Sequence, residues 1–194
     1  MTNLWPMATY CAVMSITPGP NNMLLTASGA NFGFARTLPQ IVGIIVGGFV
    51  MTAACCLGIG ALFARYPATQ AWLQGAGALY LVWLAWRLSR AAAGAANAPR
   101  PMSFSEGALF QFVNPKGWIK ALTLGSVFMP AEASPMVSAL GVSVVGAVVG
   151  VPCVSVWALF GVAIRGWLRD ARRERLFNLA MAATMLVLAA LFLR

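Results

Sequence analysis

Histidine is absent from the 194 residues, and only four acidic residues occur, Glu106, Glu132, Asp170 and Glu174. All four lie outside the long apolar runs. The four cysteines, Cys11, Cys55, Cys56 and Cys153, sit inside those runs and form no Cys-x-x-Cys pair. A zinc-type site is therefore not expected, and the cysteines read as small buried hydrophobes. No acid–base or nucleophile pair is visible, so an enzyme is not expected, and neither is a cofactor. Charge of either sign is scarce. Charged residues make up 9% of the chain, against roughly a quarter in a soluble domain. With 60% hydrophobic residues, no room is left for a soluble domain. The expected class is an all-α integral membrane protein in contact with the lipid bilayer. A cleavable signal peptide is not expected, because the N-terminus has no Lys or Arg and the first apolar run is broken. The net charge of +9 does not point to nucleic acid. The basic residues gather in short stretches between apolar runs, without the aromatic interleaving that stacks bases.

What is present centres on Thr17-Pro18-Gly19-Pro20-Asn21-Asn22. This stretch interrupts an apolar run that otherwise has the length of a membrane helix. Each proline removes an amide donor and clashes with the preceding turn, and Gly19 adds freedom. Backbone groups freed at membrane depth must be covered by protein or face a watery cavity. Thr17, Asn21 and Asn22 are placed to line such a cavity. The bland alternative is a turn between two ordinary helices, capped by Asn21 or Asn22. Interrupted membrane helices point to a transporter's binding site.

A spanning helix needs roughly 20 apolar residues. Six such segments are predicted, at about 4–30, 39–64, 68–88, 107–129, 136–164 and 176–193, with a short polar turn at 31–38 and an exposed alanine-rich linker at 91–101. Arg36, Arg87, Arg90, Arg100, Arg165, Arg169, Arg172, Arg173 and Arg175 then fall on one side, and Arg65 and Arg194 on the other. The positive-inside rule places both termini outside the cytoplasm. Trp83 and Trp86 beside Arg87 and Arg90 read as an interfacial anchor. Gly43-x-x-x-Gly47 and Gly146-x-x-x-Gly150 read as flat faces for close helix packing.

The halves, about 1–95 and 104–194, align on Pro18 and Pro115. Each proline interrupts the first segment of its half, after Thr17 or Asn114. Pro39 then matches Pro135, and Arg65 matches Arg165. Three segments per half give inverted repeats with broken first helices, whose site lies at the repeat interface near the midplane. Chance likeness among apolar segments is the competing explanation. Lys116 and Lys120 lie one turn apart on one helical face. A lysine deep in the bilayer is costly unless it faces a cavity or partner. Lys116, directly after the helix-breaking Pro115, is assigned to the cavity. Lys120 is assigned to snorkelling at the surface.

Thr17-Pro18-Gly19-Pro20-Asn21-Asn22 with Ser28-Gly29 and Gly33 resembles the opening signature of the LysE/RhtB family of amino-acid exporters. Residues 76–86 (AGALYLVWLAW) look like its third-helix pattern, and 104–116, ending Asn114-Pro115-Lys116, like its second-half signature. The resemblance covers essentially the whole chain. It implies six membrane helices, a bacterial inner-membrane location and export of an amino acid or derivative, usually by proton antiport. One departure stands out. Several members carry a polar or acidic residue mid-way along helix two, where this chain has Gly47-Gly48-Phe49, which puts coupling through a carboxylate there in doubt.

The expected activity is export of small neutral amino acids by alternating access. Thr17, Asn21, Asn22 and Asn114 bind the substrate's polar groups, and Lys116 steers or holds its carboxylate. Pro18, Gly19, Pro20 and Pro115 make the breaks, and the glycines of segments two and five let the halves rock. Cationic cargo is not expected, for want of a buried counter-charge. The rivals are an exporter of divalent metal or another small solute, and a non-transporting membrane subunit. The exact substrate, the coupling ion and the oligomeric state, a homodimer included, are left open.

Overall fold

The computed structural model describes residues 4–59, 65–90, 100–130 and 133–192, and all regular structure among them is helical. Gly60, the linker at 91–99, Glu132 and Arg194 lie outside the described residues. The helices are α1 (Leu4–Ile16), α2 (Pro20–Phe32), α3 (Phe34–Ala54), α4 (Pro67–Ser89), α5 (Phe104–Val113), α6 (Pro115–Val127), α7 (Pro135–Ile164) and α8 (Ala171–Phe192). A π-turn over Cys55–Ile59 prolongs α3, and a 3-10 turn over Trp167–Arg169 precedes α8.

Among the described residues, three helices are long and apolar enough to cross a membrane alone: Phe34–Ile59, Pro135–Ile164 and Ala171–Leu191. Helices α1 and α2 have 13 residues each, about 20 Å apiece at 1.5 Å per residue, against a hydrocarbon core of about 30 Å. The breaks fall where proline chemistry demands them. Helix α1 ends at Ile16, Gly19 is extended, and Pro20 opens α2. A first helical residue needs no amide donor, so proline is tolerated there. Pro115 opens α6 in the same way, with Asn114 between it and α5.

Three starts differ from the sequence expectation. Helix α3 begins at Phe34, because Gly33 alone makes the turn at φ 84°, and Pro39 lies inside the helix. The proposed match of Pro39 with Pro135 therefore fails, since Pro135 is the first residue of α7. Helix α5 begins at Phe104 because Ser103 and Glu106 form a capping box. Helix α8 begins at Ala171, not near Leu176. Asp170 Oδ1 accepts from the amides of Arg172 and Arg173, each at 3.0 Å, and so starts a helix the basic run had concealed.

Helix α2 is the innermost element, buried on nearly every side from Met23 to Ala30. It packs mainly on α7; α3 lies against α5 and α7, and α4 against α8. Glycine sets the closest approaches. A Cβ on Gly43 or Gly47 would strike the backbone of Phe104 or Ala108 of α5. One on Gly29 or Gly161 would strike Ala158 or Thr26 at the α2–α7 crossing. Gly43-x-x-x-Gly47 is thus the flat face expected, and Gly146-x-x-x-Gly150 is not. Around Gly146 the nearest atoms are side-chain ones, Leu124 Cδ1 at 3.8 Å and Cys11 Sγ at 4.0 Å. Both of these glycines border a cavity instead. The outer face of α7, with Val144, Val148 and Val151 exposed, stays apolar, as a lipid-facing surface requires.

Candidate functional site

The two helix breaks meet inside the fold. The last carbonyls of α1 have no helical donors, and side chains from three other elements supply them. Asn22 Nδ2 donates to Ser15 O at 2.9 Å and to Thr17 O at 2.8 Å. Trp157 Nε1, from α7, donates to Ile16 O at 3.0 Å. Lys116 Nζ, from α6, donates to Thr17 O at 2.7 Å, Thr17 Oγ1 at 2.7 Å and Pro18 O at 3.1 Å. The lysine stem crosses at Gly19, where a Cβ would lie 3.0 Å from Lys116 Cδ. Lys116 therefore links the second break to the first, and its ammonium donors are all engaged.

Asn114 organises the other break. Its Oδ1 accepts from the Lys116 amide at 3.2 Å, and its carbonyl accepts from the amides of Gly117 and Trp118. Asn21 pairs with Gln111 of α5 through two amide–amide hydrogen bonds. Between these groups lies a cavity of about 80 Å³. That is room for several waters or a small solute. Its wall takes Met14 and Ser15 from α1, Asn21 and Asn22 from α2, Gly48, Phe49 and Thr52 from α3, Lys116 and Lys120 from α6, and Ser143, Gly146 and Gly150 from α7, with Gln111 and Asn114 between. Among the described residues lining it, none is Asp or Glu.

Of the residues singled out from sequence, Gly19, Pro20, Asn21, Asn22, Asn114 and Lys116 line the cavity. Thr17, Pro18 and Pro115 are not part of its wall. Thr17 is joined to it through Lys116, and its hydroxyl also donates to Val13 O at 2.7 Å. Lys120 corrects the sequence expectation. It does not snorkel; it lines the cavity and donates to Ser15 Oγ at 3.0 Å. Ser15, Thr52, Gln111 and Ser143 were not anticipated. Gln111 had a readable signal, being the one amide side chain of Phe104–Val113, and polar residues inside membrane segments mark functional positions. The serines and threonines had none, because such residues often just bond back to their own helix, as Ser143 does to Ala139 O at 2.8 Å.

The LysE type translocator family profile matches residues 12–194. A protein of Escherichia coli (strain K12) named cysteine/O-acetylserine efflux protein is 31% identical over 183 residues, covering 93% of this chain and 92% of its own length. A protein of the same name from Salmonella typhimurium (strain LT2) is 33% identical over 155 residues, 79% of each chain. No solved structure matches.

Proposed function

Because the chain belongs to the LysE type translocator family, and so is a multi-pass membrane transporter and not an enzyme, we propose that it exports small neutral amino acids or their derivatives across the bacterial inner membrane by alternating access. The observation that carries this reading is the cavity where the two helix breaks meet. It holds amides, hydroxyls and ammonium groups but no described carboxylate. Such a wall suits a small zwitterion and offers nothing to neutralise a cationic side chain. Among the described residues it also holds no His, Cys or carboxylate cluster of the kind a divalent metal would want. The relatives' names specify cysteine and O-acetylserine, both small and neutral in side chain, and the same cargo class is proposed here.

The proposed architecture is six crossings in two inverted repeats, α1–α4 and α5–α8, with α1–α2 and α5–α6 as the broken crossings. Three contacts support it. Gly43 and Gly47 meet Phe104 and Ala108 in the same order along α3 and α5, so these helices run parallel from one side. The Gly33 turn lies beside Arg165, joining two ends assigned to the cytoplasm. Arg87, Arg90 and Arg173 stack on Trp83, Trp86 and Trp167 at 4.9, 4.9 and 5.3 Å, as cytoplasmic interfacial anchors would. Asn21, Asn22, Asn114 and Lys116 are the proposed wall of the substrate site, with Thr17 supporting it, and the site is built within one chain.

Export is proposed to be coupled to proton entry, without a helix-two carboxylate. The test is efflux from loaded cells, preceded by growth tolerance to toxic amino acids and analogues with and without the protein. Expression should raise tolerance to small neutral compounds, and an imposed pH gradient should accelerate efflux. Unchanged tolerance across the panel would reject the reading.

A further inference from the structure

The two lysines of the cavity differ in what their ammonium groups touch. Lys116 Nζ has three acceptors, Thr17 O, Thr17 Oγ1 and Pro18 O, one for each hydrogen. Lys120 Nζ donates to Ser15 Oγ at 3.0 Å, its one hydrogen bond among the described residues. Two of its hydrogens are left for whatever occupies the cavity. Gly150 borders the same cavity, and a Cβ built on it would lie 3.2 Å from Ile45 Cδ1 and 3.9 Å from Ser15 Oγ.

Electrostatics points the same way. Both ammonium groups face one cavity, one turn apart on α6, and no described carboxylate lines it. Like charges sharing a poorly hydrated space repel one another, and an anion entering beside them offsets that repulsion. Lys116 is already held by backbone oxygens and a hydroxyl. Lys120 is the cation with donors to spare.

Resting on the reading that the cargo is a small neutral amino acid, we propose that Lys120 receives the cargo's carboxylate, while Lys116 is a latch that holds the α1–α2 break against α6. Lys120 is then a specificity-determining residue, selecting amino acids over the amines that lack a carboxylate. Lys116 is a positioning residue whose loss loosens the break without removing the ligand for the carboxylate.

The test uses the full chain in proteoliposomes, with L-cysteine, O-acetylserine and cysteamine, which is cysteine without its carboxylate, under reducing conditions. Wild-type protein should move the two amino acids and discriminate against cysteamine. Lys120→Gln should raise KM for L-cysteine about tenfold or more, the loss expected of a hydrogen bond to a charged group, and should erase the discrimination. Lys120→Arg should recover part of both. Lys116→Gln should keep the discrimination against cysteamine while the maximal rate falls, since a latch sets the rate of rearrangement. Rates are normalised to reconstituted protein. A wild-type KM and intact discrimination in Lys120→Gln would overturn the assignment alone. Equal wild-type transport of cysteamine and L-cysteine would also overturn it, leaving an inorganic anion beside Lys120. Failure of the wild-type protein to move either amino acid would instead overturn the functional reading, and the assignment with it. Should Lys120→Gln fail to insert, the wild-type comparison and Lys120→Arg still decide.

Discussion

Asn21 and Gln111 exchange a reciprocal pair of hydrogen bonds, 3.0 Å from Asn21 Nδ2 to Gln111 Oε1 and 3.2 Å from Gln111 Nε2 to Asn21 Oδ1. The pair joins α2 to α5, one helix from each half of the chain, at the cavity wall. Gln111 is also anchored on its own helix, where Nε2 donates to Gly107 O at 3.2 Å. Asn21 is thus held by a residue that cannot easily swing away.

The coupling between these two amides should be measurable. Asn21→Ala and Gln111→Ala each leave an unpaired amide in a membrane interior, so both should destabilise the protein. The double variant should lose less than the sum, with an interaction energy of about 0.5–1.5 kcal/mol, the range of hydrogen bonds between membrane helices. Unfolding in mixed micelles measures the cycle, and strictly additive losses would show that the pair contributes nothing jointly.

Close helix crossings should divide the glycines into two groups. Gly43→Ala and Gly161→Ala place a methyl against the backbone of α5 and α2 respectively. Backbone cannot rotate away as a side chain can, so each should cost about 2 kcal/mol or more. Gly48→Ala meets nothing within 4 Å and should leave folded yield unchanged. The comparison is monodisperse protein recovered per unit of membrane. Equal yields from all three would refute the packing account.

Topology follows from the arginine distribution. Reporters fused after Arg100 and after Arg169 should read cytoplasmic, and one fused after Arg194 should read periplasmic. Even numbers of crossings return the chain to its starting side. A cytoplasmic reading at Arg194 would remove one crossing from the proposed six and break the inverted repeat.

Selectivity follows from the cavity's charge. Lys116 and Lys120 are its ionic groups, with no described carboxylate to accept a second cation. Lysine and arginine should therefore leave loaded cells far more slowly than cysteine or threonine, by about tenfold or more. Comparable efflux of lysine would contradict the charge argument.

Local chemistry made the helix breaks legible, and long-range contact hid their partners. Pro18, Gly19, Pro20 and Pro115 stop a helix whatever surrounds them, so the interruptions were readable in place. Helix starts were less so, because the turn at Gly33 and the cap at Asp170 each depend on one residue amid stronger signals, Pro39 in one case and a run of arginines in the other. The direction of Lys120 was misjudged for a different reason. A lysine at the sixth residue of α6 reaches the surface or the interior depending on what α1 presents, and Ser15 lies 105 positions away. Gln111 was passed over because apolar neighbours on both sides masked it. Residues 104–113 average out as an apolar helix, and only pairing with Asn21 reveals the role of the amide.

The last expectation concerns Asn22, whose side chain repairs the end of α1. Its Nδ2 gives both hydrogens to backbone carbonyls, Ser15 O at 2.9 Å and Thr17 O at 2.8 Å. The residue is 4% exposed, so water cannot take over that work. Asn22→Asp preserves shape but replaces two donors by acceptors, setting a carboxylate against two carbonyl oxygens. Asn22→Ala removes the donors, leaving Ser15 O unsatisfied and Thr17 O with Lys116 Nζ alone, at a cost of about 1–3 kcal/mol. Both variants should lower thermal stability, and Asp more than Ala, because repulsion adds to the lost bonds. Asn22→Ser, with one short donor, should fall between wild type and Ala. A ligand-only role for Asn22 predicts a different pattern, in which transport falls while the unfolding temperature of the cargo-free protein stays at the wild-type value. Measuring that temperature in detergent without cargo separates the two. An unchanged value in Asn22→Ala would mean that the break between Ile16 and Pro20 holds its shape without this amide.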